Sequence, residues 1–425
     1  MNEVVSLPQP ARDALREFST AFQDGVAYRG PLGAAWAPGR INLIGEHTDY
    51  NAGYVLPLAV DRVAAFAGRA RGDGRVRLWS MHFRERAEFS LEDLPASFER
   101  QRAELPPWAR YVLAVVAELR RAHLPIEGFD AVLQGDVPVG GGMSSSAALE
   151  VATVQTCQFF AHGAFTIGEQ GATLTPLQAA ELCQRAEWIA SGVRCGILDQ
   201  AASCLGRSGQ AVLLDCRSLE YRYLPFAAPD LALVVIDTGV RRELAASAYN
   251  ERRQQCEEAV RLLGERIARH EPQTGRAIQS LRDISPEEFE RSKDALPELL
   301  RRRAGYVIAE NQRVLDTVAC LERHDLVGVG ELLWQTHTGL RDDYEVSCFE
   351  LDTLVELARS VPGVLGARMM GGGFGGCTIN LVRVEAVDTL KQVVEEQYPA
   401  RTGRRASIDV CQAAGGPGSA ANPAE

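Results

Sequence analysis

Between Ala37 and Pro57 the chain reads APGRINLIGEHTDYNAGYVLP, which sets Arg40, Glu46, His47 and Asp49 around a short apolar run. A strand can bury Ile41, Leu43 and Ile44, but the residues from Glu46 to Asn51 are too polar to be buried without partners. A cluster of acceptors and donors at the end of an apolar run suits a hydroxyl-rich ligand. The same residues also suit a turn closed by local Asp and Asn bonds.

A second stretch, GDVPVGGGMSSSAALE, removes side chains at Gly140, Gly141 and Gly142 and then offers Ser144, Ser145 and Ser146 before a helix beginning near Ala147. A glycine loop feeding a helix N-terminus presents unpaired N–H groups and the positive end of the dipole, the physical basis of an anion site. Serine hydroxyls add donors and can ligate a hard cation such as magnesium. The plainer alternative is a flexible loop with a serine cap. Further on, SGVRCGILDQ holds Asp199 among small and apolar residues, where a turn or cap is the commoner meaning. Five glycines between Gly371 and Gly376 must bring backbone close to another loop or a ligand.

The elements that position these groups alternate between strand and helix. A helical lead-in within Met1–Gly30 places Leu15, Phe18 and Phe22 on one face. Strands are expected over Val55–Val60, Ala64–Arg71, Arg75–Ser80, Phe129–Leu133, Ala211–Asp215 and Leu231–Thr238, and helices over Trp108–Leu119, Leu177–Ile189 and Arg241–Leu263. The helix from Leu177 carries Glu181 and Glu187, and that from Arg241 carries Tyr249. The chain from His270 to Arg303 reads as a polar, helical insertion, and a composition shift near Pro225–Pro229 marks the expected junction of two lobes. The tail AAGGPGSAANPAE reads as low-complexity and disordered.

Bulk properties narrow the function. At 46% hydrophobic and 24% charged the 425 residues have a globular balance. No apolar run approaches the roughly 20 residues needed to span a bilayer, and the N-terminus lacks the regions of an export signal, so a cytoplasmic protein is expected. Ten cysteines without a CxxC pair suggest neither a zinc site nor a disulfide framework. A net charge of -11 with no basic block disfavours nucleic acid. Lysine occurs only at Lys293 and Lys391, neither after a glycine, which excludes a GxxxxGK[ST] loop. Phosphate must then be held by backbone amides and arginine.

Taken in this order, the motifs resemble those of the GHMP small-molecule kinases, and most of all the branch that phosphorylates galactose. GRINLIGEHTDYNAGYVLP is similar to that branch's sugar signature, PVGGGMSSSAALE to the family's phosphate loop and MGGGFGGCT to its third motif. RCGILDQ, LLDCRSLE, Tyr249–Cys256 and RDDYEVSC are also similar to segments of that branch. The likeness runs from about Trp36 to Val382, leaving out His270–Ala295 and both ends.

The resemblance implies an α+β protein of two lobes. Residues 1–225 would form a lobe like the second domain of ribosomal protein S5, residues 226–412 a ferredoxin-like lobe, and 413–425 a disordered tail. It implies ATP-dependent transfer of the γ-phosphoryl group to the anomeric hydroxyl of galactose by a monomer. Arg40, Glu46, His47, Asp49, Gly196, Asp199 and Tyr249 would contact the sugar. Gly140, Gly141, Gly142, Met143, Ser144, Ser145 and Ser146 would cradle the phosphates of ATP, with Trp108 near the adenine, while Ser146 and Glu187 would hold Mg2+. Asp199 would accept the sugar's proton and Arg40 would stabilise the transferring group. An arginine beside a carboxylate weakens it as a base, which a loose transition state that releases its proton late can tolerate. Within the same resemblance stand a kinase for N-acetylgalactosamine or arabinose and a sensor that binds galactose and ATP without catalysis.

Overall fold

The strand that carries Arg40 is the centre of the architecture. The structure, a computed structural model, describes residues 7–23, 26–163, 167, 173–226, 230–241, 245–270 and 276–422. Its first half runs α1 (Gln9–Ala21), β1 (Tyr28–Asn42), β2 (Tyr54–Val55), β3 (Pro57–Arg71), β4 (Arg75–Ser80), β5 (Glu85–Ser90), α2 (Leu94–Glu104), α3 (Pro107–Arg121), β6 (Gly128–Gly135), α4 (Ser145–His162), α5 (Pro176–Ser191), α6 (Leu198–Leu205), β7 (Gln210–Asp215) and β8 (Tyr221–Pro225). The second half runs β9 (Leu231–Asp237), α7 (Ala245–His270), α8 (Pro286–Ser292), α9 (Glu298–Glu322), α10 (Leu326–Asp342), α11 (Phe349–Arg359), β10 (Val364–Met369), β11 (Cys377–Arg383), α12 (Val387–Thr402), β12 (Ser407–Cys411) and β13 (Gly418–Ala421).

A six-stranded sheet of order β13-β1-β3-β6-β4-β5 carries β1 and β3 inside it, and both are buried along most of their length. Side chains alternate across a strand, and each face has its own cover. Ala65 and Ala67 pack with Phe18 and Ala14 of α1, whereas Ala64 and Phe66 join the core beneath α4. Small residues on β1 let α4 approach: a Cβ on Gly33 would lie 2.2 Å from the Phe159 ring. The two strands expected over Val55–Val60 and Ala64–Arg71 are largely one, β3, paired to β1 from Pro57 to Arg71.

The second sheet has the order β10-β11-β9-β12, antiparallel throughout. Counting from β9, that is 2-3-1-4, with α7 to α11 between its first two strands and α12 between its last two, the ferredoxin-like arrangement expected. β2, β7 and β8 form a third, smaller sheet. One apolar core joins the halves, since Val314, Val318, Ile379 and Leu381 pack in the cluster that holds Ile41, Leu43 and Val55. The chain passes from one half to the other after β8, and residues 227–229 of the expected junction lie outside the described residues, as do Met1–Ser6 of the lead-in and 271–275 of the insertion.

The tail departs from expectation. Gly418–Ala421 pairs with Gly33–Trp36 of β1, and Ala414 N–H donates to the Ala59 carbonyl at 2.9 Å. Low apolar content argues against a separate core, but an edge strand needs only backbone partners and room. Glycine provides the room: a Cβ on Gly418 would come 2.5 Å from the Trp36 ring. Residues 423–425 lie outside the described part.

Candidate active site

β1 delivers Arg40 at a register shift between Pro38 and Arg40, and the chain then turns through Gly45 to Asn51 before β2. His47 adopts φ 63 in this turn. The polar turn is buried because α9 supplies partners: Gly45 N–H donates to Glu310 Oε1 at 3.0 Å and Tyr54 N–H to Asn311 Oδ1 at 2.9 Å. Asn51 Nδ2 donates to the His47 carbonyl at 2.9 Å, so the local turn and the presented side chains are one construction.

Arg40 is 4% exposed and donates from Nε to Asp199 Oδ1 at 2.8 Å, with Nη2 2.6 Å from the same oxygen. Its Nη1 donates to the Gly142 carbonyl, and the Ser144 hydroxyl donates to Asp199 Oδ2. The end of β1, the glycine loop and α6 therefore converge on one ion pair. Burial opposes the guanidinium's charge, but the carboxylates of Asp199, Glu46 and Asp49 outweigh it and raise its pKa.

Glu46 is held from behind. Arg368, fully buried on β10, reaches Glu46 Oε1 with Nη1 at 2.9 Å, and Gly371 N–H donates to that oxygen at 2.9 Å. His47 Nδ1 lies 2.8 Å from the Tyr50 hydroxyl, which lies 2.7 Å from that of Tyr344. Burial, then the charges of Arg252 and Arg368, push this imidazole down to about 3, so it is neutral. Asp49 is pushed up to about 7 by burial and by Asp199. Gly196 is required by contact, since a Cβ there would meet Asp49 Oδ2 at 1.9 Å. The Tyr249 ring packs 5.5 Å from His47 and 5.3 Å from Tyr50.

The glycine loop uses positive φ at Gly140 (66°), Gly142 (77°) and Ser144 (54°) before α4 begins at Ser145, two residues earlier than expected. Ser144 is not a side-chain cap, because its hydroxyl is spent on Asp199. Met143 turns its side chain into the core and its carbonyl accepts from Arg40 N–H at 3.1 Å, which leaves its backbone N–H as the group it could turn to a phosphate. Beside the loop opens a cavity of about 480 Å³ lined by Phe83, Trp108, Tyr111, Val139, Gly140, Ser145 and Ser146. Trp108 is buried there with its Nε1 donating to Glu85 Oε2 at 3.0 Å.

Ser146 donates to Glu187, whose carboxyl is pushed up to about 7 by burial and by Asp199. No cluster of three metal-ligating side chains occurs among the described residues. One carboxylate and one hydroxyl nonetheless fit magnesium, which takes few protein ligands and completes its shell with water and substrate phosphates.

The glycine run from Gly371 ties the two halves of the site together. Gly371 meets Glu46, Phe374 N–H donates to the Val346 carbonyl at 2.7 Å, and the Cys377 thiol reaches the Gly141 carbonyl. A Cβ on Gly373 would lie 2.2 Å from the Val346 oxygen. Sequence reasoning missed Arg368, whose signal was a lone arginine in an apolar strand three residues before that run. It also missed Arg241, which pairs with Asp237 through Nη1 at 2.8 Å and whose Nη2 donates to the Val139 carbonyl at 3.4 Å, on the rim of the loop.

Residues 17–70 match the galactokinase galactose-binding signature, 110–207 the GHMP kinase N-terminal domain and 317–400 the GHMP kinase C-terminal domain. Mevalonate kinase of Leishmania major shares the fold at 14% identity, with a TM-score of 0.56 over 92% of this chain and 98% of its own. The chain belongs to the GHMP kinases. It is 43% identical to the galactokinase of Chloroflexus aurantiacus over 94% of this chain and 97% of that one, and 41% identical to the human galactokinase over 97% and 98%. The crystal structure of Lactococcus lactis galactokinase complexed with galactose superposes with a TM-score of 0.83 at 35% identity, covering 95% of this chain and 98% of that one. Within the GHMP kinases, the chain belongs to the galactokinases.

Proposed function

We propose that this cleft transfers the γ-phosphoryl group of ATP to the anomeric hydroxyl of D-galactose, giving galactose 1-phosphate and ADP. The observation that carries the reading is the Arg40–Asp199 pair, set between the Glu46–Asp49 turn and the glycine loop at 2.8 Å. Glu46, His47, Asp49 and Tyr249 bind the sugar. Fixed carboxylate acceptors discriminate epimers because a misplaced hydroxyl leaves them unpaired. Asp199 orients the anomeric hydroxyl and receives its proton as the bond from that oxygen to Pγ forms and the bond from Pγ to the β-phosphate oxygen breaks. Arg40 stabilises charge on the group in flight, the main demand of phosphoryl transfer.

Gly140 to Gly142, Ser145 and Ser146 hold the phosphates through backbone and hydroxyl donors, and Arg241 supplies the side-chain charge that the absent loop lysine would have given. Ser144 keeps Asp199 in place. The 480 Å³ cavity takes the nucleoside, with Trp108 and Phe83 against the base. Ser146 and Glu187 hold Mg2+, which would neutralise phosphate charge. All ten cysteines are free thiols, which fits the reducing cytoplasm, and among the described residues no helix is long and apolar enough to cross a membrane.

The test is a coupled ADP-release assay with Mg2+ and ATP across galactose, glucose, N-acetylgalactosamine, arabinose and mevalonate, with Asp199→Asn alongside. Turnover confined to galactose, and a kcat for Asp199→Asn reduced by about 10²-fold or more with KM for galactose within a few-fold, is the expected result. Turnover of another sugar would overturn the pocket assignment, and a near-normal kcat in Asp199→Asn the base assignment.

A further inference from the structure

Behind the phosphate loop, three helices meet at one fully buried amide. Gln200 follows Asp199 on α6, and its Nε2 lies 2.6 Å from Glu187 Oε2 on α5 and 3.0 Å from Glu150 Oε2 on α4. An amide nitrogen has two hydrogens to give, and here both go to carboxylates. Glu150 Oε1 and Gln200 Oε1 find no partner among the described residues. The burial of Glu150 beside Glu187 is thus organised around a single bridging donor rather than a satisfied network.

The connectivity gives that bridge a purpose. α4 starts with the serines of the glycine loop, α5 carries Glu187, and α6 carries Asp199 in its first turn. With one Glu187 oxygen held by Gln200, the carboxylate plane is fixed relative to both Ser146 and Asp199. We propose that Gln200 is the positioning residue for the cation carboxylate, orienting Glu187 toward the phosphate loop while locking its distance to the α6 carboxylate. The inference rests on the reading that Glu187 and Ser146 hold the divalent ion. Partners in that position usually change metal affinity ten- to a hundredfold when removed.

Three variants separate the possibilities: Gln200→Met, which keeps length and bulk without donors; Gln200→Asn, which keeps the amide one methylene short; and Glu187→Gln. Mn2+ binding is measured by electron paramagnetic resonance in the presence of ATP and without galactose, so no turnover is involved. Both Gln200 variants are expected to weaken Mn2+ binding at least tenfold and to raise the Mg2+ concentration needed for half-maximal turnover, with KM for galactose within twofold. Wild-type Mn2+ affinity in a folded Gln200 variant, with Glu187→Gln weakened, would overturn the positioning role. Unchanged affinity in Glu187→Gln would instead overturn the cation reading beneath it. A uniform loss of Mn2+ binding, galactose affinity and thermal stability would also overturn the inference, by making Gln200 a packing residue.

Discussion

Asp49→Asn isolates the raised carboxyl of the Gly45–Asn51 turn. The carboxyl, pressed against Gly196, is pushed from 3.8 to about 7, by burial first and by Asp199 second. A proton therefore binds the folded chain more tightly than the unfolded one. Below pH 3.8 both states are protonated and nothing is lost; as pH climbs toward 7 the folded state loses up to about 4 kcal/mol, and above 7 the loss is constant. Between pH 5 and pH 8 the change comes to about 2–3 kcal/mol, an upper figure because Asp49 keeps some contact with solvent. Asn at this position removes the slope, so the variant's stability relative to the native chain must rise by that amount from pH 5 to pH 8. Binding runs the other way. In the proposed function galactose hydroxyls donate to the ionised form, so its affinity should weaken roughly 30-fold from pH 8 to pH 5.5, and binding at pH 7 should release about half a proton. Thermal unfolding of both chains at the two pH values, with calorimetric galactose titrations in buffers of different ionisation enthalpy, measures all three quantities. A stability difference independent of pH, together with no proton release, would refute the argument.

Three further outcomes follow from contacts described above. Arg368→Met leaves Glu46 as a buried charge without its partner and should cost about 3–5 kcal/mol by denaturant unfolding; adding Glu46→Gln should recover part of that loss, and a purely additive double variant would show the pair to be uncoupled. Gly196→Ala must displace Asp49, because a Cβ has 1.9 Å to its oxygen, so KM for galactose should rise at least tenfold with KM for ATP unchanged. Arg241→Ala should raise KM for ATP severalfold and leave galactose binding intact in isothermal titration, while an equal loss for both ligands would assign Arg241 to structure alone.

The legible parts of the chain were those written in local pattern. Gly140 to Ser146 sits at a helix start because loop and helix are contiguous in sequence, whereas the order of β9 to β12 was expected from the family resemblance, β9 being the one of these strands whose bounds local pattern marked. What stayed hidden depends on contacts between residues far apart. Glu46 gave no hint that its partner would be Arg368, 322 positions away, or that Glu310 and Asn311 would bind the turn's backbone. The serines suited either caps or ligands because both chemistries use the same hydroxyl; only the position of Asp199 shows where Ser144 points. The tail misled for a different reason, since glycine and alanine signal either freedom or close packing, and only the Trp36 ring decides between them.

That pairing of β13 with β1 also bears on how the chain is made. β13 is made long after β1, so the sheet that aims Arg40 stands with an open flank at Gly33–Trp36 until Gly418–Ala421 has been synthesised. Unpaired flanks of this kind recruit strands from neighbouring chains. A product cut short near residue 412 would keep every residue of the proposed chemistry and still carry that sticky edge permanently, so loss of the last few residues would be felt as aggregation in the cell before it was felt as lost turnover.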